Sequence, residues 1–205
     1  TSSSGLLVVG GLSETQTELV SLIDEQAKEL NDRASRLLTA ARLDTTDFKP
    51  QREPLLFSRE VKAAIQACEQ PQCRKRFRIQ VPTSETPVLA DSKLIRSALA
   101  QLVDNAIKYS TPGSLIDVGV ETRDTEALMT MRNRGLVIAP ADRERIFERF
   151  YRAPEAQRGS AGTGLGLSIV KRIVEAHHGR VWVESNVEHG TVFSLALPTA
   201  PRKPQ

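Results

Sequence analysis

The segment Gly159-Ser-Ala-Gly-Thr-Gly-Leu-Gly-Leu-Ser-Ile-Val170 decides the fold expected for this chain. Its glycines alternate at positions 162, 164 and 166, and a helical pattern begins directly after them. Because glycine lacks a side chain and adopts backbone angles that other residues avoid, its N–H groups can turn toward an anion. The positive end of the following helix dipole adds to that attraction. The segment therefore predicts a phosphate-binding loop at the start of a helix.

Two common phosphate-binding loops do not fit this segment. A P-loop requires Gly-Lys-Ser/Thr, whereas Leu167 and Ser168 follow Gly166. The dinucleotide fingerprint G-x-G-x-x-G, started at Gly162, requires glycine at position 167 and meets leucine. The identity of the loop therefore depends on motifs elsewhere in the chain.

Four further motifs accompany the loop in a fixed order. They are Asp104-Asn-Ala-Ile-Lys-Tyr109, Asn133-Arg-Gly-Leu-Val-Ile138, Arg145-Ile-Phe-Glu-Arg-Phe-Tyr-Arg152 and His189-Gly-Thr-Val-Phe193. They resemble the N, G1, F and G3 boxes of sensor histidine kinases, and Gly162-Thr-Gly-Leu-Gly-Leu167 resembles the G2 box. Gyrase, Hsp90 and MutL belong to the same wider group. The resemblance extends over residues 50–198 and implies a two-layer α/β sandwich of the α+β kind with a mixed sheet.

The resemblance also implies a site for ATP and Mg²⁺. Asn105 would supply an amide oxygen to Mg²⁺, which prefers oxygen ligands and bridges substrate phosphates; a solvent-facing asparagine is the alternative. Lys108 would offset phosphate charge and Tyr109 would cover the sugar and base, against the alternatives of an exposed lysine and simple packing. Arg152 would reach the terminal phosphates. The implied nucleotide contacts are Asn105, Lys108, Tyr109, Asn133, Gly135, Ile138, Arg152, Gly162, Thr163, Gly164, Leu165, Gly166, Leu167 and Thr191, with Asn105 as the metal ligand.

The F and G3 boxes carry further expectations. Phe147 and Phe150 would anchor a lid, or they are ordinary core residues. Residues 153–164 are rich in glycine and alanine in their second half, which is typical of a mobile lid that becomes ordered over nucleotide. Gly190 and Thr191 would form the turn near the adenine pocket, or a plain hairpin.

Three positions depart from the family pattern. Asn133 stands where an aspartate commonly accepts a hydrogen bond from the adenine amino group, and an asparagine carbonyl can accept that bond without charge assistance. Val137 replaces the second glycine of the G1 box. Gln101 lies four residues before Asn105, where ATPases of the gyrase or MutL kind need a glutamate, so we expect poor hydrolysis.

A long helix is predicted ahead of these motifs. Ser13 and Gln16 form a capping-box pattern, and apolar residues recur in alternating steps of 3 and 4 from Val20 to Ala41. This heptad pattern predicts a coiled-coil-like helix over residues 13–44, packed on its own domain or shared in a dimeric bundle. The expected division is a partial dimerisation hairpin over 1–48, a catalytic ATP-binding domain over 49–198 and a flexible tail over 199–205.

The resemblance implies a phosphoacceptor histidine on a first bundle helix, and this sequence lacks a candidate for it. The three histidines are His177, His178 and His189, which lie at the end of the G2 helix and in the G3 turn. None has the helical context of a phosphoacceptor. We therefore expect the acceptor to precede this sequence, and the chain to bind ATP without phosphorylating itself.

Strands and helices alternate after residue 50. Alternating apolar residues around short polar turns predict two hairpins, which are Leu115–Thr122 with Ala127–Arg132 and Arg180–Glu184 with Val192–Leu197. Helices are predicted from Asp91 through Tyr109 and over Leu165–His177, the second closed by Gly179. A mixed sheet with helices on one face is the simplest arrangement of these elements.

Composition narrows the class of protein. The 205 residues carry 28 basic and 25 acidic side chains, so no concentrated basic charge favours nucleic acid. The run Arg74-Lys-Arg-Phe-Arg78 is interpreted as a solvated turn entering a strand. Two cysteines favour reduced thiols in the cytoplasm, and no apolar run reaches the ~20 residues that span a bilayer. The parent protein is expected to be a kinase that forms homodimers and phosphorylates a response regulator, with a nucleotide-binding regulatory module that lacks kinase activity as the alternative.

Overall fold

The computed structural model describes residues 14–43, 48–68, 71–159 and 162–200. The chain forms two compact units, divided between Leu38 and Thr39. The first 13 residues of the expected dimerisation hairpin lie outside the described residues.

Helix α1 spans Glu14–Leu43 of the predicted 13–44, and the two end positions of that prediction lie outside the described residues. In the first unit it exposes large apolar side chains that a lone helix cannot bury, which are Leu19, Leu22, Ile23, Leu30, Leu37 and Leu38. Its last turn belongs to the second unit, where Ala40 and Leu43 join the hydrophobic core. The Arg172 guanidinium donates to the Leu43 carbonyl at 2.8 Å, which satisfies one of the unpaired carbonyls at the helix end.

A mixed five-stranded sheet forms one layer of the second unit. Its order is β2-β4-β5-β7-β6, with β2 parallel to β4 and the other pairs antiparallel. The strands are β2 Phe77–Gln80, β4 Ile116–Arg123, β5 Glu126–Asn133, β6 Arg180–Asn186 and β7 Gly190–Pro198. The two predicted hairpins are therefore confirmed; β4 has its predicted length, shifted by one residue, and the other three strands are longer than predicted.

Helices form the second layer on one face of this sheet. They are α2 Phe57–Gln66, α4 Ser92–Tyr109 and α6 Gly166–Ala176. Their buried side chains share one core with alternate residues of the central strands, such as Ile116, Val118 and Met129. On the opposite face Arg78, Asp117 and Arg132 lie side by side in the strand register and form ion pairs. The predicted two-layer α/β sandwich is thus confirmed.

Smaller elements complete the unit. Strands β1 Glu53–Leu55 and β3 Val88–Ala90 pair antiparallel in a separate two-stranded sheet. The sequence did not predict α3 Pro71–Arg74, the 3₁₀ turns Pro140–Asp142 and Arg145–Phe147, or α5 Pro154–Gly159 within the expected lid. These elements are six residues or shorter, too short for a period of apolar residues to become visible.

The end of α6 differs from its prediction. His178, rather than Gly179, adopts the left-handed conformation, with φ of 59°. Gly179 has another role, because a Cβ there would lie 2.3 Å from the Ala196 carbonyl oxygen. Glycine therefore permits close contact between this turn and β7, while the helix ends on a histidine.

The chain remains hydrogen-bonded for two residues after β7. The Thr199 N–H donates to the Thr125 carbonyl and the Ala200 N–H to the Pro87 carbonyl, both at 2.7 Å. The other residues of the expected tail, 201–205, lie outside the described residues.

Candidate nucleotide-binding site

The N box lies in the last turns of α4. Asp91 caps this helix by accepting from the N–H groups of Lys93 and Leu94. The apolar face of α4, from Ile95 to Ala106, is buried in the core, so the polar residues at its C-terminal end are left on the helix surface. Asp104 is exposed, whereas Asn105 is half-buried, because adjacent residues of a helix point in different directions around its axis.

Two cationic side chains meet at the first glycine of the G2 box. A Cβ built on Gly162 would lie 3.0 Å from Lys108 Nζ and 3.8 Å from Arg152 Nε. The N box and the F box therefore bring positive charge to the same point of the glycine loop. Because glycine adds no side chain at that point, an anion can approach the backbone between the two cations.

The loop continues into α6 without a capping side chain. Leu165 is the N-cap residue, is buried, and forms no side-chain capping hydrogen bond. The first N–H groups of a helix need partners outside it, and the helix dipole favours an anion there. Gly166 and Leu167 begin the helix, so these N–H groups directly follow the glycines.

The second glycine of the loop holds the F box by backbone contact. The Phe150 N–H donates to the Gly164 carbonyl at 3.1 Å, and both residues have positive φ, 62° and 71°. A Cβ on Gly164 would lie 2.6 Å from the Phe150 carbonyl carbon, so another residue would not fit without a shift. Gly164 therefore joins the F box to the start of α6.

The two F-box phenylalanines have different surroundings. Phe147 is buried and its ring meets that of Phe193 edge to face, with centroids 6.4 Å apart. Phe150 is 67% exposed, so of the two alternatives the one that makes it an ordinary core residue is wrong. Its left-handed backbone, which follows from its contact with Gly164, directs the ring outward into solvent instead.

Buried polar residues form a row across three strands at one end of the sheet. Asn133, Thr191 and Ser185 are neighbours in the register of β5, β7 and β6, and each is at most 3% exposed. The Ser185 and Thr191 hydroxyls lie 2.7 Å apart. The Thr191 hydroxyl donates to the Leu136 carbonyl at 2.9 Å, and the Ile138 N–H donates to the Ser185 hydroxyl at 2.9 Å. The G1 and G3 boxes are therefore joined through this row.

Asn133 is the member of the row with an unsatisfied group. Its amide Nδ2 is enclosed and has no hydrogen-bond partner in the part of the chain that the structure describes. Beside it, Gly190 has φ of 79°, and a Cβ on Gly190 would lie 2.4 Å from the Asn133 carbonyl oxygen. Glycine in the G3 box thus lets the turn approach the end of β5.

The G1 box is fastened to the end of α4. The Leu136 N–H donates to the Tyr109 carbonyl at 3.0 Å, and the Thr111 N–H donates to the Arg134 carbonyl at 2.7 Å. A Cβ on Gly135 would lie 2.1 Å from the Tyr109 carbonyl oxygen. The N and G1 boxes can approach so closely only because Gly135 lacks a side chain.

A pocket of about 350 Å³ opens at this junction, a size that suits a small-molecule ligand. The residues lining it are Lys108, Tyr109, Ser110, Thr111, Pro112, Gly135, Leu136, Glu155 and Ala156. Lys108, Tyr109 and Gly135 were predicted from the sequence as contacts. Residues 110–112 and 155–156 were missed, as was Ser185. Only the strand register reveals Ser185, because register places it beside Thr191.

The F box is held by a separate polar contact. The Tyr151 hydroxyl donates to the Asp142 carboxylate at 2.6 Å, and this bond raises the pKa of Tyr151. The Arg145 guanidinium lies over the Tyr151 ring, 4.2 Å from its centroid. These contacts order the chain immediately before Arg152.

The described residues offer few ligands for a metal ion. None of their histidine, cysteine, aspartate and glutamate side chains group in threes. Among the described helices, none combines the length and the low polarity needed to cross a bilayer. A magnesium ion here would depend on Asn105 together with phosphate and water oxygens, which is the usual arrangement for Mg²⁺.

Comparison with known proteins agrees with this geometry. The family described as "Histidine kinase-, DNA gyrase B-, and HSP90-like ATPase" matches residues 90–201. The sensor-like histidine kinase SenX3 of Mycobacterium tuberculosis is 34% identical over 96% of this chain and 48% of its own length. The sensor histidine kinase CusS of Escherichia coli O157:H7 is 36% identical over 91% of this chain and 39% of its own length. The chain thus spans less than half the length of these relatives.

A solved structure gives the same result for the fold. Full-length ShkA in complex with AMPPNP superposes with a TM-score of 0.77 and 25% identity, over 93% of this chain and 40% of ShkA. The glycine loop, the N box and the polar row lie within the matched family region. The chain therefore belongs to the histidine kinase-, DNA gyrase B- and HSP90-like ATPase family, as an ATP-binding domain of the sensor histidine kinase type.

Proposed function

We propose that this chain binds Mg-ATP and presents its γ-phosphate for transfer to a histidine of a sensor kinase. The observation that carries the proposal is the convergence of Lys108 and Arg152 at Gly162, directly before the uncapped start of α6. Phosphoryl transfer depends mainly on positioning and on neutralising phosphate charge. Two cations and a glycine loop at one point supply both requirements.

Asn105 fits the role of the magnesium ligand. It is half-buried near the end of α4, three residues before Lys108, on a neighbouring part of the helix surface. Its amide oxygen can join phosphate oxygens around Mg²⁺, which would neutralise phosphate charge when bound. The adjacent Asp104 is exposed, and we assign it no part in the metal site.

Asn133 fits the role of the group that binds the nucleobase. It lies in the buried row with Thr191, joined to the G1 loop through Leu136. The Asn133 amide oxygen can accept from the adenine amino group as a neutral acceptor, and such a bond is weaker than one to a carboxylate. We therefore propose adenine as the base, bound less tightly than an aspartate at this position would bind it.

The histidines of this chain do not fit the role of phosphoacceptor. His177 is 1% exposed and both of its ring nitrogens are hydrogen-bonded. His178 lies in the left-handed turn after α6, and His189 lies in the turn before β7. We propose that the acceptor belongs to a helical bundle that α1 helps to build in a homodimer, and that phosphate passes from it to an aspartate of a response regulator. SenX3 and CusS bear the name of sensor histidine kinase.

The test is a calorimetric titration with AMPPNP, with and without Mg²⁺. Wild-type chain should bind with an affinity that Mg²⁺ increases, and Asn105→Ala should lose that increase. Asp104→Asn is the matched control, because it changes an exposed neighbour on the same helix and should bind within about twofold of wild type. Absence of binding by the wild type would refute the proposal and favour a regulatory module without kinase activity.

A further inference from the structure

Arg76 lies outside the five boxes and contacts the loop that follows the N box. It is half-buried in the turn before β2. Its Nε donates to the Ser114 carbonyl at 2.8 Å, and its Nη2 donates to the Ser110 hydroxyl and to the Thr111 carbonyl, the latter at 3.2 Å. One guanidinium therefore connects both ends of the loop, residues 110–114, to the edge of the sheet.

This finding changes the interpretation of the basic run at residues 74–78. The sequence predicted a solvated turn entering a strand, and Arg74 and Lys75 are indeed exposed. Arg76 instead turns its charge toward three oxygen acceptors. A planar guanidinium has several N–H groups in a fixed fork, which suits it to bridge acceptors that a lysine cannot reach together.

The loop that Arg76 holds is one wall of the pocket. Ser110, Thr111 and Pro112 line the pocket beside Tyr109. On its other side the loop is bonded to the G1 box, through the Thr111 N–H to the Arg134 carbonyl and through a bridge between Ser110 and Gly135. Its position is thus set by the G1 box on one side and by Arg76 on the other.

Other hydrogen bonds of the loop are internal or connect it to α4. The Ser114 N–H and hydroxyl both bond to the Thr111 carbonyl, at 3.0 and 2.8 Å, and the Ser110 hydroxyl donates to the Ile107 carbonyl at 3.0 Å. Such contacts maintain the turn but do not fix it relative to the sheet. Arg76 supplies that connection, since its own carbonyl accepts from the Ile116 N–H where β4 begins.

We propose that Arg76 is a positioning residue for nucleotide binding, which holds the wall formed by residues 110–112 in its binding geometry. The proposal rests on the proposed function of this pocket as the nucleotide site. Arg76 is not among the residues that line the pocket, so it acts through the loop. A wall fixed in advance loses little conformational entropy when a ligand binds, so freeing it weakens binding.

The experiment measures AMPPNP affinity, in the presence of Mg²⁺, for wild type, Arg76→Gln, Arg76→Lys and Arg78→Gln. Arg78 is the matched control, because it lies two residues along, is 61% exposed and pairs with Asp117 on the open face of the sheet. We expect Arg76→Gln to bind about tenfold more weakly and Arg76→Lys to bind three- to fivefold more weakly, whereas Arg78→Gln stays within about twofold.

Two readouts separate positioning from general stability. Titrations are made at a temperature where circular dichroism shows every variant folded. Amide exchange at Thr111 and Ser114 should rise in Arg76→Gln and remain unchanged in Arg78→Gln.

Equal affinity of wild type and both Arg76 variants would overturn the proposal, as would equal weakening by Arg78→Gln. If Arg76→Gln does not fold, Arg76→Lys decides by the same criterion. If the wild type itself does not bind AMPPNP, the proposed function fails and this inference fails with it.

Discussion

The backbone N–H of Asp91 donates to Nε2 of His177 at 2.9 Å, which joins the N-cap of α4 to the last turn of α6. The other ring nitrogen, Nδ1, lies 2.7 Å from the Ile173 carbonyl and donates to it. Because Nε2 accepts, the ring must be neutral with its proton on Nδ1. The helix that carries the magnesium-ligand candidate and the helix that follows the glycine loop are therefore fastened together by one neutral imidazole.

This bond predicts a loss of stability in mild acid. Burial lowers the pKa of His177 below its ordinary value; the hydrogen bond to the Ile173 carbonyl and the Asp91 charge oppose this lowering, and the charges of Arg52 and His178 add to it. Above pH about 6.5 the ring is neutral in both states and the stabilisation is complete. Below that pH the unfolded chain binds a proton that the folded chain resists, so the free energy of unfolding falls until pH reaches the lowered pKa. Each pH unit by which folding lowers the pKa of His177 corresponds to about 1.4 kcal/mol in the free energy of unfolding.

Urea unfolding at several pH values between 8 and 5 measures this slope. His177→Gln should show a smaller loss of stability across that range, because a glutamine carbonyl accepts the Asp91 N–H without titrating. His178→Gln is the comparison variant, because it replaces an exposed neighbour that makes only a minor contribution to the lowered pKa of His177, and it should reduce the slope far less than His177→Gln does. An identical slope in wild type and His177→Gln would show that His177 does not cause the acid sensitivity.

We expect substitutions at His178 and Gly179, two adjacent residues after α6, to change the free energy of unfolding in opposite directions. His178 has φ of 59°, a conformation that costs L-residues about 1–2 kcal/mol, so His178→Gly should raise the free energy of unfolding by about 0.5–1 kcal/mol after the entropic cost of glycine. Gly179→Ala should lower it, because the new Cβ would lie 2.3 Å from the Ala196 carbonyl oxygen. Chemical denaturation of both variants checks the signs. Stabilisation by Gly179→Ala would contradict the close contact with β7.

We expect substitutions at Gly162 and Gly164, the first two glycines of the loop, to differ in their effects on nucleotide affinity and on stability. A methyl group on Gly162 would enter the space between Lys108 Nζ and Arg152 Nε, where flexible side chains can move aside. Gly162→Ala should therefore weaken AMPPNP binding about tenfold or more while changing the free energy of unfolding by less than about 0.5 kcal/mol. The measurement pairs calorimetric titration with thermal unfolding.

Gly164→Ala provides the contrast. Its Cβ would meet the Phe150 backbone at 2.6 Å, and its φ of 71° disfavours other residues. We expect a loss of about 1–3 kcal/mol in stability together with weaker binding. If Gly162→Ala destabilised the chain as much as Gly164→Ala, the first glycine would have a structural role rather than a role in anion binding.

Local sequence patterns predict some of these features, whereas the others depend on contacts between residues far apart in the chain. Alternating apolar residues and the polar turn at Asp124 predict the hairpin of β4 and β5, because half-buried strands require that alternation. The five boxes predict Lys108 and Arg152 each as a phosphate contact, although only the folded chain shows them meeting at Gly162. Arg76 could not be predicted, because its acceptors are backbone carbonyls and a hydroxyl 34 to 38 residues away. Phe150 is exposed for a similar reason, since its backbone is set by contact with Gly164.

We predict that Asn133→Asp raises the affinity for an adenine nucleotide and lowers the stability of the ligand-free chain. A carboxylate at this 2% exposed position would accept from the adenine amino group with charge assistance, which strengthens such a bond by about 1 kcal/mol. We therefore expect AMPPNP to bind about fivefold more tightly to the variant, while a guanine analogue, whose carbonyl replaces the amino group, should not gain.

The same substitution should lower the stability of the ligand-free chain, because a buried charge without a partner is costly. Thermal unfolding without nucleotide and titrations with AMPPNP and GMPPNP measure the two effects. Ser194→Asp on β7 is the control, since it buries a carboxylate on the sheet at 4% exposure, outside the row of Asn133, Thr191 and Ser185, and should destabilise without a gain in affinity. Equal gains for both analogues would mean that Asn133 does not contact the base, and the polar row would then serve only to join the G1 and G3 boxes.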